Sequence, residues 1–258
     1  MPNRFFIRFN LQNSVGIFPA TAAVGAAMKQ TSCEEMQGYL DEFDTILRTR
    51  TDRLRQKLGN TVSPLCGKRV LFLGDSNTSD NLGYRRSVCQ VAGMIGIDAS
   101  ISGGTSATAL PLAFEKLSKE APDLVSVMIG SNDTVCLGSS ELGQVSLAEY
   151  ERNLRAILSQ ADQAGARILV MTLPPVFQAG FERYNPIPGR SFTMETISRY
   201  NAVLASVAKE FGAHPLAHDY IPAEDDLSEW MERDGVHLNL RAHEALAERW
   251  LMAASRLF

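Results

Sequence analysis

Leu71-Phe72-Leu73-Gly74-Asp75-Ser76-Asn77 is a short apolar run that stops abruptly at glycine, aspartate and serine. A run of this length, apolar at consecutive positions, reads as a strand covered on both faces, as in a parallel sheet. Working outward, further strand candidates fall at 97–102, 124–129, 167–172 and, more weakly, 213–217. Helical patterns separate them at 82–95, 107–119, 147–164 and 194–211, and a last one spans 240–256. Gly165 and Gly212 stand where helix-ending glycines are expected, just before the next strand. Strands alternating with helices of this length predict a three-layer α/β/α sandwich around a central, mostly parallel five-stranded sheet. Residues 68–258 form that expected domain.

Residues 1–67 read as an N-terminal extension. Its main element is an amphipathic helix over 32–59, with Ser32 as N-cap and Glu35 completing a capping-box pattern. Met36, Leu40, Phe43, Leu47, Leu54 and Leu58 fall on one face, which predicts docking on the main domain. Acidic residues crowd its start and basic residues its end, as the helix dipole favours. Further upstream, Arg4 and Arg8 precede the apolar run 15–28, and Ala20-Thr21-Ala22 fits a cleavage pattern. Asn10, Gln12, Asn13 and Pro19 interrupt that segment, so the reading favours a cytoplasmic location, with export by a weak signal as its alternative.

Composition excludes some classes of function. The chain has 258 residues, 45% hydrophobic and 21% charged, with a net charge of −4. That balance gives no basic face for nucleic acid, and no apolar stretch reaches the ~18 residues of a membrane span. Cys33, Cys66, Cys89 and Cys136 are scattered without the close pairs of a zinc site, and are expected as free or buried thiols.

In an open parallel sheet the ligand crevice lies beyond the carboxyl ends of the strands. Ser76 follows the first strand, Gly103 and Gly104 the second, and Asn132 the third. Asp234-Gly235-Val236-His237 precedes the last helix and supplies a carboxylate and an imidazole three residues apart. A serine hydroxyl is a poor nucleophile near neutrality unless a base takes its proton, and that base needs an orienting partner. Ser76, His237 and Asp234 are therefore the candidate catalytic residues. The N–H groups of Ser76 and Gly103 and the Asn132 amide are the candidate oxyanion donors, with Gly104 the competing glycine.

These stretches resemble the SGNH hydrolases, the GDSL-type esterase and lipase superfamily. Gly74-Asp75-Ser76-Asn77 is similar to its first block, with asparagine where leucine is common. Ala99 to Ser106 is similar to the second block, Gly130-Ser131-Asn132-Asp133 to the third, and Asp234-Gly235-Val236-His237 to the fifth. The likeness spans roughly residues 68–256. It implies a serine esterase acting on small-molecule or carbohydrate esters through an acyl-enzyme, with no metal or organic cofactor. The alternatives are an acyltransferase on the same site, or an inactive scaffold used for carbohydrate binding or interaction.

Other residues receive structural readings. Asn77 has no direct role, and Asp75 and Asp133 bond turn amides. Asp219 is the second-choice acid. His243, inside the last helical pattern, is read as a surface residue. Loops 134–146 and 176–193 are expected to wall the site, the second with Phe177, Phe181, Tyr184 and Phe192, stiffened by Pro186 and Pro188. Those aromatics line the site or anchor the loop.

Overall fold

The structure is a computed structural model and describes residues 8–9, 21–138, 143–184, 189–221 and 226–258. Five parallel strands form the central sheet: β1 (Arg69–Gly74), β2 (Ile95–Ser100), β3 (Leu124–Met128), β5 (Arg167–Met171) and β7 (His214–Leu216), in the order β2-β1-β3-β5-β7. The two-residue strands β4 (Cys136–Leu137) and β6 (Arg190–Ser191) pair antiparallel outside it and join the two long loops. The three-layer sandwich is thus observed.

The strands are continuously apolar because both faces are covered. Leu71, Leu73, Val125, Val127, Ile168 and Val170 face one core, shared with α5 (Ser106–Glu120), α6 (Leu147–Gln163) and α8 (Met194–Glu210). Val70, Phe72, Leu124, Met128, Leu169 and Met171 face the other, shared with α4 (Tyr84–Ala92) and α9 (Leu240–Ser255). Alternate residues of one strand serve opposite cores, as the two-residue period of a strand requires. Ser126 is the polar exception on β3, and the buried Trp250 indole donates to its hydroxyl at 2.8 Å.

Among the described residues, two α-helices precede the sheet, α1 (Ala22–Lys29) and α2 (Cys33–Leu58). Ser32 caps α2 by accepting from the Glu35 N–H at 3.0 Å. The reciprocal half of the expected capping box is absent, because the Glu35 carboxylate binds the Thr31 and Tyr39 hydroxyls instead. The buried Arg50 fastens α2 to the domain. It donates to the Leu82 carbonyl at 2.6 Å, the Ser87 hydroxyl at 3.3 Å and the Leu240 carbonyl at 3.4 Å.

Beyond shifts of one to three residues at several element ends, the structure differs from the sequence reading in three places. Strand β2 begins at Ile95 rather than 97 and ends at Ser100. It is an edge strand, with Ile95 half exposed, so its polar and glycine positions hide its start. Residues 59–65 form a 3-10 helix where a plain connector was expected. Within the loop 176–193 a short helix forms, α7 (Gln178–Tyr184). Phe181 and Phe192 are buried in the core with ring centroids 5.6 Å apart, so these two anchor the loop, while Tyr184 is exposed. Pro186 and Pro188 lie outside the described residues. All four cysteines are free.

Candidate active site

Strand β1 can end as it does only with glycine at 74, where a Cβ would meet the Thr78 hydroxyl at 2.1 Å and the Met128 carbonyl at 2.8 Å. The chain then turns into one helical turn, α3 (Ser76–Ser79), capped by Asp75, whose carboxylate accepts from the Asn77 N–H at 3.0 Å. Ser76 opens this turn and is buried to 6% exposure. Gly74 is in register with Ser100 on β2 and Met128 on β3, so the loops that follow all three strands emerge side by side.

The Asp234–His237 turn is built by its own carboxylate. Asp234 Oδ1 accepts from the N–H groups of Val236 and His237, both at 3.1 Å. Gly235 has φ +71°, and a Cβ there would lie 2.0 Å from the Phe177 carbonyl, so only glycine lets the turn pack on that segment. The other carboxylate oxygen, Oδ2, lies 2.5 Å from His237 Nδ1, and His237 Nε2 lies 2.8 Å from Ser76 Oγ. In the neutral imidazole with its proton on Nδ1, that proton faces Asp234 and Nε2 accepts a hydrogen bond from the Ser76 hydroxyl. Burial opposes charge on His237, but the Asp234 charge and hydrogen bond outweigh it, and its pKa is raised above the ordinary value. The Asp234 carboxylate is also resisted by burial, yet His237 and the two turn amides hold its pKa below the ordinary value.

The two glycines of the second loop separate by geometry. Gly104 has its N–H committed to the Ile101 carbonyl at 2.8 Å. A Cβ at 104 would also meet that carbonyl at 2.8 Å. Gly103 has φ +75° and open space where a Cβ would be, and its N–H carries no bond among the described residues. The Asn132 amide donates one N–H to the Gly104 carbonyl at 2.9 Å, which fixes its plane and leaves the second N–H available. Asp133 accepts from the Ser106 N–H at 2.9 and 3.1 Å and from its hydroxyl. Burial raises the pKa of both Asp75 and Asp133 to about 6.

Several residues stand apart from the sequence reading. Asn77 is fully buried and grips the histidine turn from both sides. Its Oδ1 accepts from the Leu238 N–H at 2.9 Å and its Nδ2 donates to the Val236 carbonyl at 3.4 Å. His243 is buried, not on the surface. It shares a helical face with Leu246, Ala247 and Trp250, a spacing that marks it as inward-facing. Its Nδ1 accepts from the Tyr84 N–H at 3.2 Å and its Nε2 stands 3.1 Å from Asp80. Burial, with Arg8 and Arg50 adding to it, lowers its pKa to about 4 against the pull of Asp80. Asp219 pairs with Arg249 at 3.5 Å and is largely exposed, away from the triad. Beyond the ends of β5 and β7 lies a cavity of about 400 Å³ lined by Leu173, Pro175, Met194, Ile197, Asn201 and His218, among others. Burial lowers the His218 pKa to about 4.

A doubly wound parallel sheet with a serine, a histidine and an aspartate bonded in series beyond its strand ends is the arrangement of a serine hydrolase. The sequence matches the model of the GDSL-like lipase/acylhydrolase family over residues 72–245. It is 29% identical over 154 residues to the esterase TesA of Pseudomonas aeruginosa, covering 59% of this chain and 65% of that protein. It is 28% identical over 192 residues to the thioesterase 1/protease 1/lysophospholipase L1 of Escherichia coli, covering 70% of this chain and 80% of that one. Among solved structures, the esterase EstA of Pseudoalteromonas sp., described as inhibited by monoethylphosphonate, superposes with a TM-score of 0.56. It is 19% identical and covers 74% of this chain and 98% of its own. The acetylxylan esterase Axe2 of Geobacillus stearothermophilus superposes with a TM-score of 0.58 at 22% identity, covering 73% and 94%. The chain belongs to the GDSL-like lipase/acylhydrolase family and is a carboxylic ester hydrolase.

Proposed function

We propose that the chain is a serine esterase that cleaves carboxylic esters with small acyl groups through an acyl-enzyme. The observation that carries this is the continuous hydrogen-bond series from Ser76 Oγ through His237 to Asp234. His237 Nε2 takes the Ser76 proton as Oγ attacks the ester carbon. Negative charge then develops on the former carbonyl oxygen, where the N–H groups of Ser76 and Gly103 and the second N–H of Asn132 receive it. One such donor contributes about 2.7–4 kcal/mol of transition-state stabilisation. The tetrahedral species collapses as His237 gives its proton to the departing alcohol oxygen. Water then repeats the sequence on the acyl-serine, releasing the acid and restoring Ser76. Asp234 holds the imidazole orientation and stabilises its charged form throughout.

The low exposure of Ser76 favours a second reading, in which an alcohol competes with water for the acyl-enzyme. Ester products formed in an alcohol–water mixture would identify that branch. The intact triad geometry speaks against an inactive binding scaffold. The sandwich, residues 68–258, is taken as the catalytic domain and residues 1–67 as its extension. A cytoplasmic location is part of this reading, with export by a weak N-terminal signal as its alternative; processing near Ala20–Ala22 would remove Arg8, which the folded chain buries in two ion pairs.

The test is hydrolysis of p-nitrophenyl esters from acetyl to palmitoyl, wild type beside Ser76→Ala. Activity with a short-chain optimum that vanishes in the variant supports the reading, and activity that survives in Ser76→Ala overturns it.

A further inference from the structure

Arg8 and Phe9 reach into the active site from the far N-terminus. The Phe9 ring lies against the His237 imidazole, with centroids 3.9 Å apart and planes tilted by 35°, and it is 7% exposed. Arg8 is as deeply buried. It forks onto Asp80 at 3.2 and 2.6 Å, pairs with Glu232, and reaches the Leu238 carbonyl at 3.4 Å. Its own carbonyl accepts from the Asn81 N–H at 2.8 Å. Asp80 closes the turn that begins at Ser76, while Glu232 and Leu238 flank the Asp234–His237 turn. One side chain therefore clamps the nucleophile turn and the acid–base turn together. A planar fork on a buried carboxylate is the geometry in which arginine binds most strongly. Burial opposes the Arg8 charge, and Asp80 and Glu232 outweigh it, so its pKa is raised.

Resting on the esterase reading, we propose that Arg8–Phe9 is a strap completing the active site, in which Phe9 walls the leaving-group side and restricts the alcohol portion of the substrate, with Arg8 as its clasp. The side is fixed by the chemistry. The carbonyl oxygen must turn toward the Gly103 and Asn132 donors. The departing oxygen must come within hydrogen-bond reach of His237 Nε2, because it leaves with that proton. A ring lying on the imidazole is therefore a neighbour of the alcohol portion. It leaves room for a compact leaving group and opposes an extended one.

The experiment compares phenyl acetate with 4-phenylphenyl acetate, two esters with the same acyl group and leaving groups of similar acidity but different length. Phe9→Ala raises kcat/KM for the longer ester relative to the shorter by about tenfold, within the range over which pocket walls discriminate. Phe9→Leu gives an intermediate ratio. Arg8→Lys, which cannot fork onto Asp80, shifts the ratio in the same direction. The acyl-length profile on p-nitrophenyl esters stays as in the wild type. Thermal unfolding of each variant confirms that it is folded. An unchanged ratio in Phe9→Ala, a changed acyl profile with an unchanged ratio, or no turnover of either ester by both proteins overturns the strap. A fluorophosphonate label separates this from failure of the underlying reading. Label at Ser76 that is lost in Ser76→Ala keeps the esterase reading standing when the strap fails, and absence of that label removes both.

Discussion

Replacing Asn77 by leucine, the residue common at this place in the family block, tests whether the residue after the nucleophile positions the base. The side chains are close in volume, so the change opens no large cavity. It removes the acceptor for the Leu238 N–H at 2.9 Å and a long donor contact to the Val236 carbonyl at 3.4 Å. Leaving a buried N–H without a partner costs about 1–3 kcal/mol, and the weaker second bond adds at most about 1 kcal/mol. At about 2–4 °C per kcal/mol for a chain of this size, a total of about 1–4 kcal/mol should lower Tm by roughly 2–16 °C.

The kinetic consequence follows from where those bonds lie. Val236 and Leu238 flank His237, so a loosened turn lengthens the 2.8 Å approach of Nε2 to Ser76. A misplacement of about 1 Å can lower rate about a hundredfold, and kcat should fall by about ten- to a hundredfold with KM little changed. The Asp75–Asn77 bond uses the main-chain N–H and survives the substitution, so the nucleophile turn itself is retained. The assays are thermal unfolding by circular dichroism and steady-state kinetics on p-nitrophenyl acetate. Wild-type Tm and kcat in Asn77→Leu would refute the reasoning. A lowered Tm with unchanged kcat would reduce Asn77 to a structural brace.

The two adjacent glycines should fail differently. Gly103→Ala places a side chain at φ +75° in open space, so it should lower activity steeply while shifting stability by only about 1–2 kcal/mol; Gly104→Ala drives a Cβ into the Ile101 carbonyl and should depress Tm more than Gly103→Ala does. The rate needs neutral His237, whose pKa is raised, so the acid limb of kcat/KM should have its midpoint above about 6.5, and Asp234→Asn should move that midpoint down and lower kcat by orders of magnitude. Stability runs the other way on the alkaline side: with His237 raised and Asp234 lowered, the pair contributes fully between about pH 4 and 6.5 and fades as pH rises through the His237 value. The Tm deficit of Asp234→Asn should therefore be smaller at pH 9 than at pH 6. Arg50→Met strips three acceptors of a buried cation and should destabilise by about 3 kcal/mol or more. Arg53→Ala removes a solvent-exposed pair with Glu244 and should change stability by less than about 1 kcal/mol.

The parts legible in the sequence are those whose physics is local. The Asp75 cap and the Asp234 turn are built from hydrogen bonds within three residues, and strand β1, though paired with distant strands, left a contiguous apolar run ending in glycine. Alternating strands and helices gave the sandwich for the same reason. What was missed depends on pairs far apart in the chain. Asn77 is unremarkable until Leu238, 161 residues on, arrives beside it. The β4–β6 pair consists of two residues on each side and joins loops whose proximity no periodicity announces. His243 is the instructive exception, since its alignment with Leu246 and Trp250 was available. A histidine three to four residues from a core stripe belongs to that stripe.

Asp80 shows why the supporting residues were harder to read than the acting ones. Read alone it is an aspartate in a polar turn, and its burial should make it costly. The fold instead surrounds it with Arg8, the Leu82 N–H at 2.8 Å and His243 at 3.1 Å. Burial pushes its pKa up, but Arg8 and His243 overcome this and hold it ionised. These partners come from the N-terminal segment, the Ser76 turn's own exit and the last helix. A buried carboxylate is stable only when its partners are in place. The charge at Asp80 thus couples the N-terminal strap and α9 to the geometry of the nucleophile turn. In the proposed mechanism Ser76, His237 and Asp234 react, while the two turns that carry them are held together by a carboxylate outside that series.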